Sequence, residues 1–191
     1  MTREEAQTAV DEIFSLYEQY GAADYIGEPV SQVEHMCQAA QLAEAEGYDE
    51  EVILAAFFHD IGHLCEYIFV VQSMDGYGTV DHEGLGGQYL REKGFSDKIA
   101  KLVESHVAAK RYLTYKHPDY HHKLSEASKI TLAQQGGMMN ETEAKQFEED
   151  HLHPLFIKIR EWDDKAKMEH VPLPSLEIYK QMAFQHLVSQ N

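Results

Sequence analysis

The chain has 191 residues, with 16 lysines and arginines against 33 aspartates and glutamates, a formal net charge of −17 with its 12 histidines counted neutral. So acidic a protein lacks the basic face that releases counterions from a polyanion, which argues against nucleic acid or an anionic membrane surface as a partner. At 43% hydrophobic and 26% charged residues the composition is that of a globular protein, no stretch reaches the roughly 18 apolar residues of a membrane helix, and Met1-Thr-Arg-Glu-Glu does not open a signal peptide; a cytoplasmic protein is expected.

Taken in chain order, the apolar positions Ala6, Val10, Ile13, Phe14 and Tyr17 predict a helix over residues 3–20. A loop carrying Asp24-Tyr25-Ile26-Gly27-Glu28-Pro29 follows, then a second helix from about Gln32 to Glu46, closed by Gly47. Asp49 reads as the N-cap of a third helix, whose run Val52-Ile-Leu-Ala-Ala-Phe-Phe58 is apolar on all sides and therefore buried. The segment from Leu64 to Val80 is long enough to be a functional lid. Further helices are expected over Asp81–Lys93, Asp97–Ala109, Leu124–Gln134, Glu141–Glu149, His153–Met168 and Ser175–Ser189. With no alternating strand pattern and no repeat, the reading is an all-α single domain spanning 1–191, with a core over about 30–170 and the helices 3–20 and 175–189 packed upon it. Cys37 and Cys65 form no Cys-x-x-Cys pair and read as reduced structural thiols.

His59-Asp60 ends the buried helix, and a buried carboxylate is expensive unless it is paired, hydrogen-bonded or metal-bound. His63 lies four residues after His59, which in a continuous helix puts both on one face. From residue types alone the pair could equally be a helix end that hydrogen-bonds only the backbone. His35, His82, His106 and Asp163 also fall in or beside apolar stretches. Singly each reads as a satisfied core side chain; together they point to a shared metal centre. His121, His122, His151 and His153 lie in polar or loop contexts and read as surface residues.

The order His35, His59-Asp60, Asp163 resembles the ligand pattern of the HD-domain superfamily, and His82 and His106 match the extended pattern of its dinuclear members. A more specific resemblance covers nearly the whole chain. Asp24-Tyr-Ile-Gly-Glu28, His59-Asp-Ile-Gly-His63, Gly76-Tyr-Gly78, Ser105-His-Val-Ala-Ala-Lys-Arg-Tyr-Leu113, Leu124-Ser-Glu-Ala-Ser128, Gln135-Gly-Gly137 and Lys158-Ile-Arg-Glu-Trp-Asp163 look like the motifs of the phosphonate-cleaving HD-domain mixed-valent diiron oxygenases, which are related to myo-inositol oxygenase. The resemblance implies an HD-domain helical bundle with a dinuclear site in its core. Two iron ions, Fe(II)/Fe(III), would use O2 to break the carbon–phosphorus bond of a 1-hydroxyalkylphosphonate, giving a carboxylic acid and phosphate.

By the same resemblance His35, His59, Asp60 and Asp163 hold one iron and Asp60, His82 and His106 the other, with Asp60 bridging. Tyr25 would occupy an iron position until substrate displaces it, and Glu28 would then meet the substrate's cationic end. His63, Lys110, Ser128, Gln135 and Arg160 would take the phosphonate. In the lid, Tyr67, Phe69, Asp75 and Tyr77 offer aromatic faces and a carboxylate, which tilts the expected substrate toward 1-hydroxy-2-(trimethylammonio)ethylphosphonate, giving glycine betaine, over 2-amino-1-hydroxyethylphosphonate, giving glycine. Tyr67 and Phe69 could instead simply pack the lid on the domain. A metal-dependent HD phosphohydrolase acting on a nucleotide or other phosphate ester is the competing reading, and a non-catalytic ligand-binding module a third. The partner expected is a small molecule, the protein acting as a monomer or weak dimer.

Overall fold

The computed structural model describes residues 1–25, 27–72 and 79–190. Helix α1 (Arg3–Tyr20) starts from a capping box in which Thr2 and Glu5 satisfy each other's backbone N–H, and it buries Ala6, Val10, Ile13, Phe14 and Tyr17 on one face. Helix α2 (Gln32–Ala45) starts the same way from Ser31 and Glu34. Asp49 caps α3 (Glu50–Phe58) by accepting the Val52 N–H at 3.0 Å. Every residue from Val52 to Phe58 is buried, as an all-apolar helix must be.

The chain then breaks. Helix α4 (Ile61–Cys65) is a separate short turn, because Asp60 leaves the helical region at φ −107°, ψ 14°. The expectation that His59 and His63 share one helix face is thereby corrected: they stand on either side of the break, His59 against the rings of His35 and His106 and His63 against that of His82. Helices α5 (His82–Glu92) and α6 (Asp97–Lys116) follow. The latter runs seven residues beyond Ala109, since Tyr112 and Leu113 continue its buried face. A short α7 (Tyr120–Lys123) was not expected; α8 (Glu126–Gln134) is capped by Ser125, and α9 (Glu141–Glu149) by Asn140. Helix α10 (His153–Lys165) stops three residues short of Met168, and α11 (Leu176–Ser189) closes the fold. Among the described residues there is no strand, and no helix is long and apolar enough to cross a membrane.

Helix α6 is the hub, packed against α3, α5 and α10, while α2 lies against α3 and α10, and α1 against α11. On the α1 and α11 side the core is aromatic: the Phe57 ring is stacked by Phe14, Tyr17 and Tyr179 at centroid distances of 5.7, 4.7 and 4.5 Å. On the other side the same helices turn polar residues inward. The approach of α4 to α5 depends on Gly62: a Cβ there would lie 1.8 Å from the carbonyl oxygen of His82. Gly62→Ala is therefore expected to cost about 1–3 kcal/mol by forcing the two helices apart, read as a fall of several degrees in the melting temperature; an unchanged melt would show that the contact is not needed.

Candidate metal centre and its cavity

Five elements deliver the six candidate ligands. His35 sits one turn into α2, His59 and Asp60 in the break between α3 and α4, His82 at the first position of α5, His106 on α6 and Asp163 on α10. All six are buried, none more than 4% exposed. The sequence separates them by up to 128 positions, and the fold brings them together around the Asp60 carboxylate. Its Oδ2 lies 3.4 Å from Nε2 of both His35 and His59; its Oδ1 lies 3.4 Å from Nε2 of His82 and 3.3 Å from that of His106. Asp163 Oδ1 closes the first group at 3.4 Å from His35 Nε2.

The protonation pattern follows from the partners. His35, His59 and His106 each place Nδ1 2.8–2.9 Å from a main-chain carbonyl, of Ala166, Ala56 and Val103 respectively. A carbonyl only accepts, so Nδ1 carries the proton and donates, and Nε2 of the neutral ring presents a lone pair. Yet His35 Nε2 faces His59 Nε2 at 3.0 Å, and His82 Nε2 faces His106 Nε2 at 2.9 Å. In the His35–His59 pair, where both Nδ1 atoms donate to carbonyls, these are two lone pairs, which cannot hydrogen-bond each other. Asp60 Oδ2 and Asp163 Oδ1 are buried without a hydrogen-bond partner. Donor atoms 2.9–3.4 Å apart, all lone pairs or carboxylate oxygens, are what ligands about 2.1 Å from a shared cation leave between them. The residues present thus fit a metal centre, with one candidate ligand group at His35, His59 and Asp163 and another at Asp60, His63 and His82.

Charge in the cluster is consistent with that fit. Burial opposes ionisation of Asp60, yet His59, His35 and His82 hold its carboxyl well below the usual range. Asp163 is held low in the same way, against burial, by Arg160 and His35. Burial also opposes charge on His35, but without a cation Asp163 and Asp60 outweigh it and raise the imidazole to about 9, a proton at Nε2 that a bound metal ion would replace. His106, where burial prevails, is pushed down to about 3. His82 beside it is raised despite burial, by Asp60, so the carboxylates attract positive charge on both sides of the cluster.

A cavity of about 60 Å³ opens beside the cluster. It is lined by Tyr25, Glu28, His63, Lys110, Ser128, Gln135 and Arg160, all singled out from the sequence, together with Asp60, His82, His106 and Asp163. The Tyr25 ring stacks on that of His35 at 4.1 Å, and burial with the carboxylates of Asp60 and Asp163 keeps its phenol protonated. His63 stacks on His82 at 4.0 Å. A ring nitrogen of His63 also lies within 4.8 Å of donor atoms of Asp60 and His82, so this residue can border the second ion as well as a substrate. Lys110 is 3% exposed and donates to Thr131 Oγ1 at 2.9 Å. No carboxylate pairs with it among the described residues, and burial with the nearby Arg160 brings its ammonium down to about 7. Arg160 is differently placed: its Nε donates to Tyr120, Nη1 to Asp163 at 2.8 Å and Nη2 to Asp164. Three of its five N–H groups hold protein, and two remain for a ligand.

Two lid residues are not where the sequence reading put them. Tyr67 stacks on Tyr20 at 4.0 Å and Phe69 meets Tyr89 edge-on at 6.1 Å; neither lines the cavity. The reason is the apolar surface of α1 and α5, which these rings cover. Asp75 and Tyr77 lie outside the described residues.

The sequence reading missed several neighbours. Gln32 lines the cavity from the start of α2, and Thr131 does so from α8, three residues after Ser128 and four before Gln135. That spacing puts the three on one helix face and was the signal available for Thr131. Glu83 Oε2 lies 3.4 Å from His82 Nδ1, on the side of the ring away from Asp60. Glu28, expected to face a ligand, is joined by Lys167 at 2.7 Å and by Ser125 at 2.6 Å. The loop reaches α8 because Gly27, at φ 80°, sits where a Cβ would come within 2.8 Å of Ala127.

Residues 33–146 match the HD domain family. An uncharacterized protein of Acanthamoeba polyphaga mimivirus is 44% identical over 178 residues, covering 93% of this chain and 81% of its own. A 1-hydroxy-2-(trimethylamino)ethylphosphonate dioxygenase (glycine-betaine-forming) of Leisingera caerulea is 39% identical over 165 residues, 86% of this chain and 83% of that one. A hydroxymethylphosphonate dioxygenase of Gimesia maris is 36% identical over 170 residues, 89% and 84% of the two chains.

The sharing of Asp60 makes a specific prediction. Purified protein is expected to carry about two metal ions per chain; Asp60→Ala should lose both, whereas His106→Ala should lose about one. Elemental analysis of the variants reads this directly, and equal losses in the two would contradict a bridging carboxylate.

Proposed function

The chain belongs to the HD-domain family, in its phosphonate-cleaving dioxygenase branch, and from that premise we propose that it uses O2 at a pair of iron ions to cleave the carbon–phosphorus bond of a 1-hydroxyalkylphosphonate. The products are a carboxylic acid and phosphate, and the substrate supplies all the electrons, so no external reductant is consumed. The observation that carries this reading is Lys110: an ammonium buried beside the His and Asp cluster, bonded to a hydroxyl and, among the described residues, in no ion pair with a carboxylate. Such a group is poised for an anion, and burial that costs it protonation is relieved when the anion arrives.

When bound, the two irons supply Lewis acidity for the substrate's hydroxyl and a phosphonate oxygen, and the redox couple that O2 requires. We assign His35, His59, Asp60 and Asp163 to one ion and Asp60, His82 and His106 to the other. The chain's remaining residues bind and orient. Lys110 neutralises phosphonate charge, and the two free N–H groups of Arg160 add directed donors while Nη1 keeps Asp163 in place and the other two hold Tyr120 and Asp164. Ser128, Thr131 and Gln135, one face of α8, take the remaining phosphonate oxygens. Tyr25 covers the His35 side of the cluster and moves aside when substrate enters. The cavity beside the cluster has room for a phosphonate of a few heavy atoms.

The substituent on C1 is a separate matter. The two named relatives differ there: the substrate in one name carries a trimethylamino group, and that in the other only a hydroxymethyl group. The expectation of a quaternary ammonium rested on lid aromatics, and Tyr67 and Phe69 lie against Tyr20 and Tyr89 instead. Tyr67 and Phe69 thus lend that expectation no support, and Asp75 and Tyr77 lie outside the described residues.

Iron-loaded protein is expected to take up one O2 for each phosphate released from a 1-hydroxyalkylphosphonate. Lys110→Met should raise KM tenfold or more with a smaller effect on kcat, because the ammonium serves binding before chemistry. Anaerobic hydrolysis of a phosphate ester, with no phosphonate-dependent O2 uptake, would instead establish the phosphohydrolase reading.

A further inference from the structure

Glu28, on the loop before α2, and Lys167, just past α10, stand 139 positions apart, yet Lys167 Nζ donates to Glu28 Oε1 at 2.7 Å. Their side chains are 14% and 8% exposed, Lys167 and Glu28 respectively. Ser125 Oγ donates to the same oxygen at 2.6 Å, and the ammonium lies 5.8 Å from the centre of the Tyr25 ring. The backbone on both sides of Lys167 is tied down. The Ala166 carbonyl accepts from His35 Nδ1 at 2.8 Å. Met168 is clamped by Gln38, whose Nε2 donates to its carbonyl at 2.9 Å and whose Oε1 accepts its N–H at 3.0 Å. An exposed ion pair forfeits most of its attraction to side-chain entropy and to water. This one starts from a fixed backbone, is nearly dry and has a third hydrogen-bonding partner, so it sets a local charge state.

That charge state bears on the substrate. Glu28 lines the cavity and Lys167 does not, so the lysine meets the carboxylate from outside and leaves it facing in. The other carboxylates lining the cavity, among the described residues, are Asp60 and Asp163, both within the metal cluster. Among the described residues, the single carboxylate left for a substrate's far end therefore arrives already neutralised. An ammonium or trimethylammonium group placed against it would share one carboxylate with Lys167, leaving one positive charge without a partner in a dry site. We propose that Lys167 is a specificity-determining residue, which makes this a site for 1-hydroxyalkylphosphonates whose C1 substituent is small and uncharged, hydrogen or a short alkyl group. The proposal rests on the carbon–phosphorus-cleaving reading above and names the substrate class of that same site.

Two measurements on iron-loaded protein test it and keep the two readings apart: anaerobic calorimetric titration, which reads the substrate class, and O2 uptake, which reads the reaction. The probes are hydroxymethylphosphonate, 1-hydroxyethylphosphonate, 2-amino-1-hydroxyethylphosphonate and its trimethylammonio analogue. The wild type is expected to bind the two uncharged compounds at least tenfold more tightly than the two cationic ones. Lys167→Met, which frees the Glu28 carboxylate, should tighten binding of the cationic pair at least tenfold, and Lys167→Arg should keep the original order. Tighter binding of a cationic phosphonate by the wild type overturns the proposal without any variant, as does an unchanged ratio in a folded Lys167→Met protein. If the binding order is as expected but no phosphonate drives O2 uptake, the substrate class stands and the oxygenase reading falls. Absence of binding by all four overturns both.

Discussion

The Asp60 carboxylate is the point on which the rest of the structure turns. It is 1% exposed, and four imidazole nitrogens stand 3.3–3.4 Å from its two oxygens. An ionised carboxylate removed from water costs several kcal/mol unless it is paired, and four histidines protonated together would repel one another at least as strongly. Cations on either side of it resolve both problems at once. Much of the fold around it serves this arrangement. The helix is broken at His59 and Asp60 so that both side chains point inward, Gly62 admits the carbonyl of His82, and the main-chain carbonyls of Ala56, Val103 and Ala166 set the tautomers of three rings.

Around this centre the charge of the protein is layered. The net charge of −17 belongs to the whole chain, while the cavity presents Lys110 and the free edge of Arg160 to an anion. Farther out, Lys167 cancels Glu28. In the proposed reading, a pocket with cationic donors at one end and a neutral far end discriminates by what it would leave unpaired, the general route by which a buried site rejects a ligand with the wrong charge. The surplus of acidic residues therefore says little about the substrate, and the local pairs say a good deal.

Much of this was legible from residue order. The spacing of Ala6, Val10, Ile13, Phe14 and Tyr17 carries a helical period and the Asp49 cap with the all-apolar run to Phe58 marks a buried helix, and α1 and α3 lie where these signals put them. Every residue named from motifs as a ligand or phosphonate contact, with Tyr25 and Glu28, meets at the cluster or its cavity. What was not legible depended on geometry that no local pattern records. The break at Asp60 hides inside an unbroken helical pattern, so His63 was placed above His59 when it stacks on His82. Tyr67 and Phe69 were read from composition, yet an exposed aromatic goes to the nearest apolar surface, here Tyr20 and Tyr89. Lys167 lies in a stretch with no motif at all, and only the folded chain brings it to Glu28.

The central claim is that one carboxylate, Asp60, bridges two irons. Electron paramagnetic resonance of the iron-loaded protein after partial oxidation tests it most directly. The account predicts a signal from a spin-coupled Fe(II)/Fe(III) pair that changes on adding a 1-hydroxyalkylphosphonate and is absent from Asp60→Ala. Only uncoupled high-spin ferric iron in the wild type, unaffected by phosphonate, would contradict it.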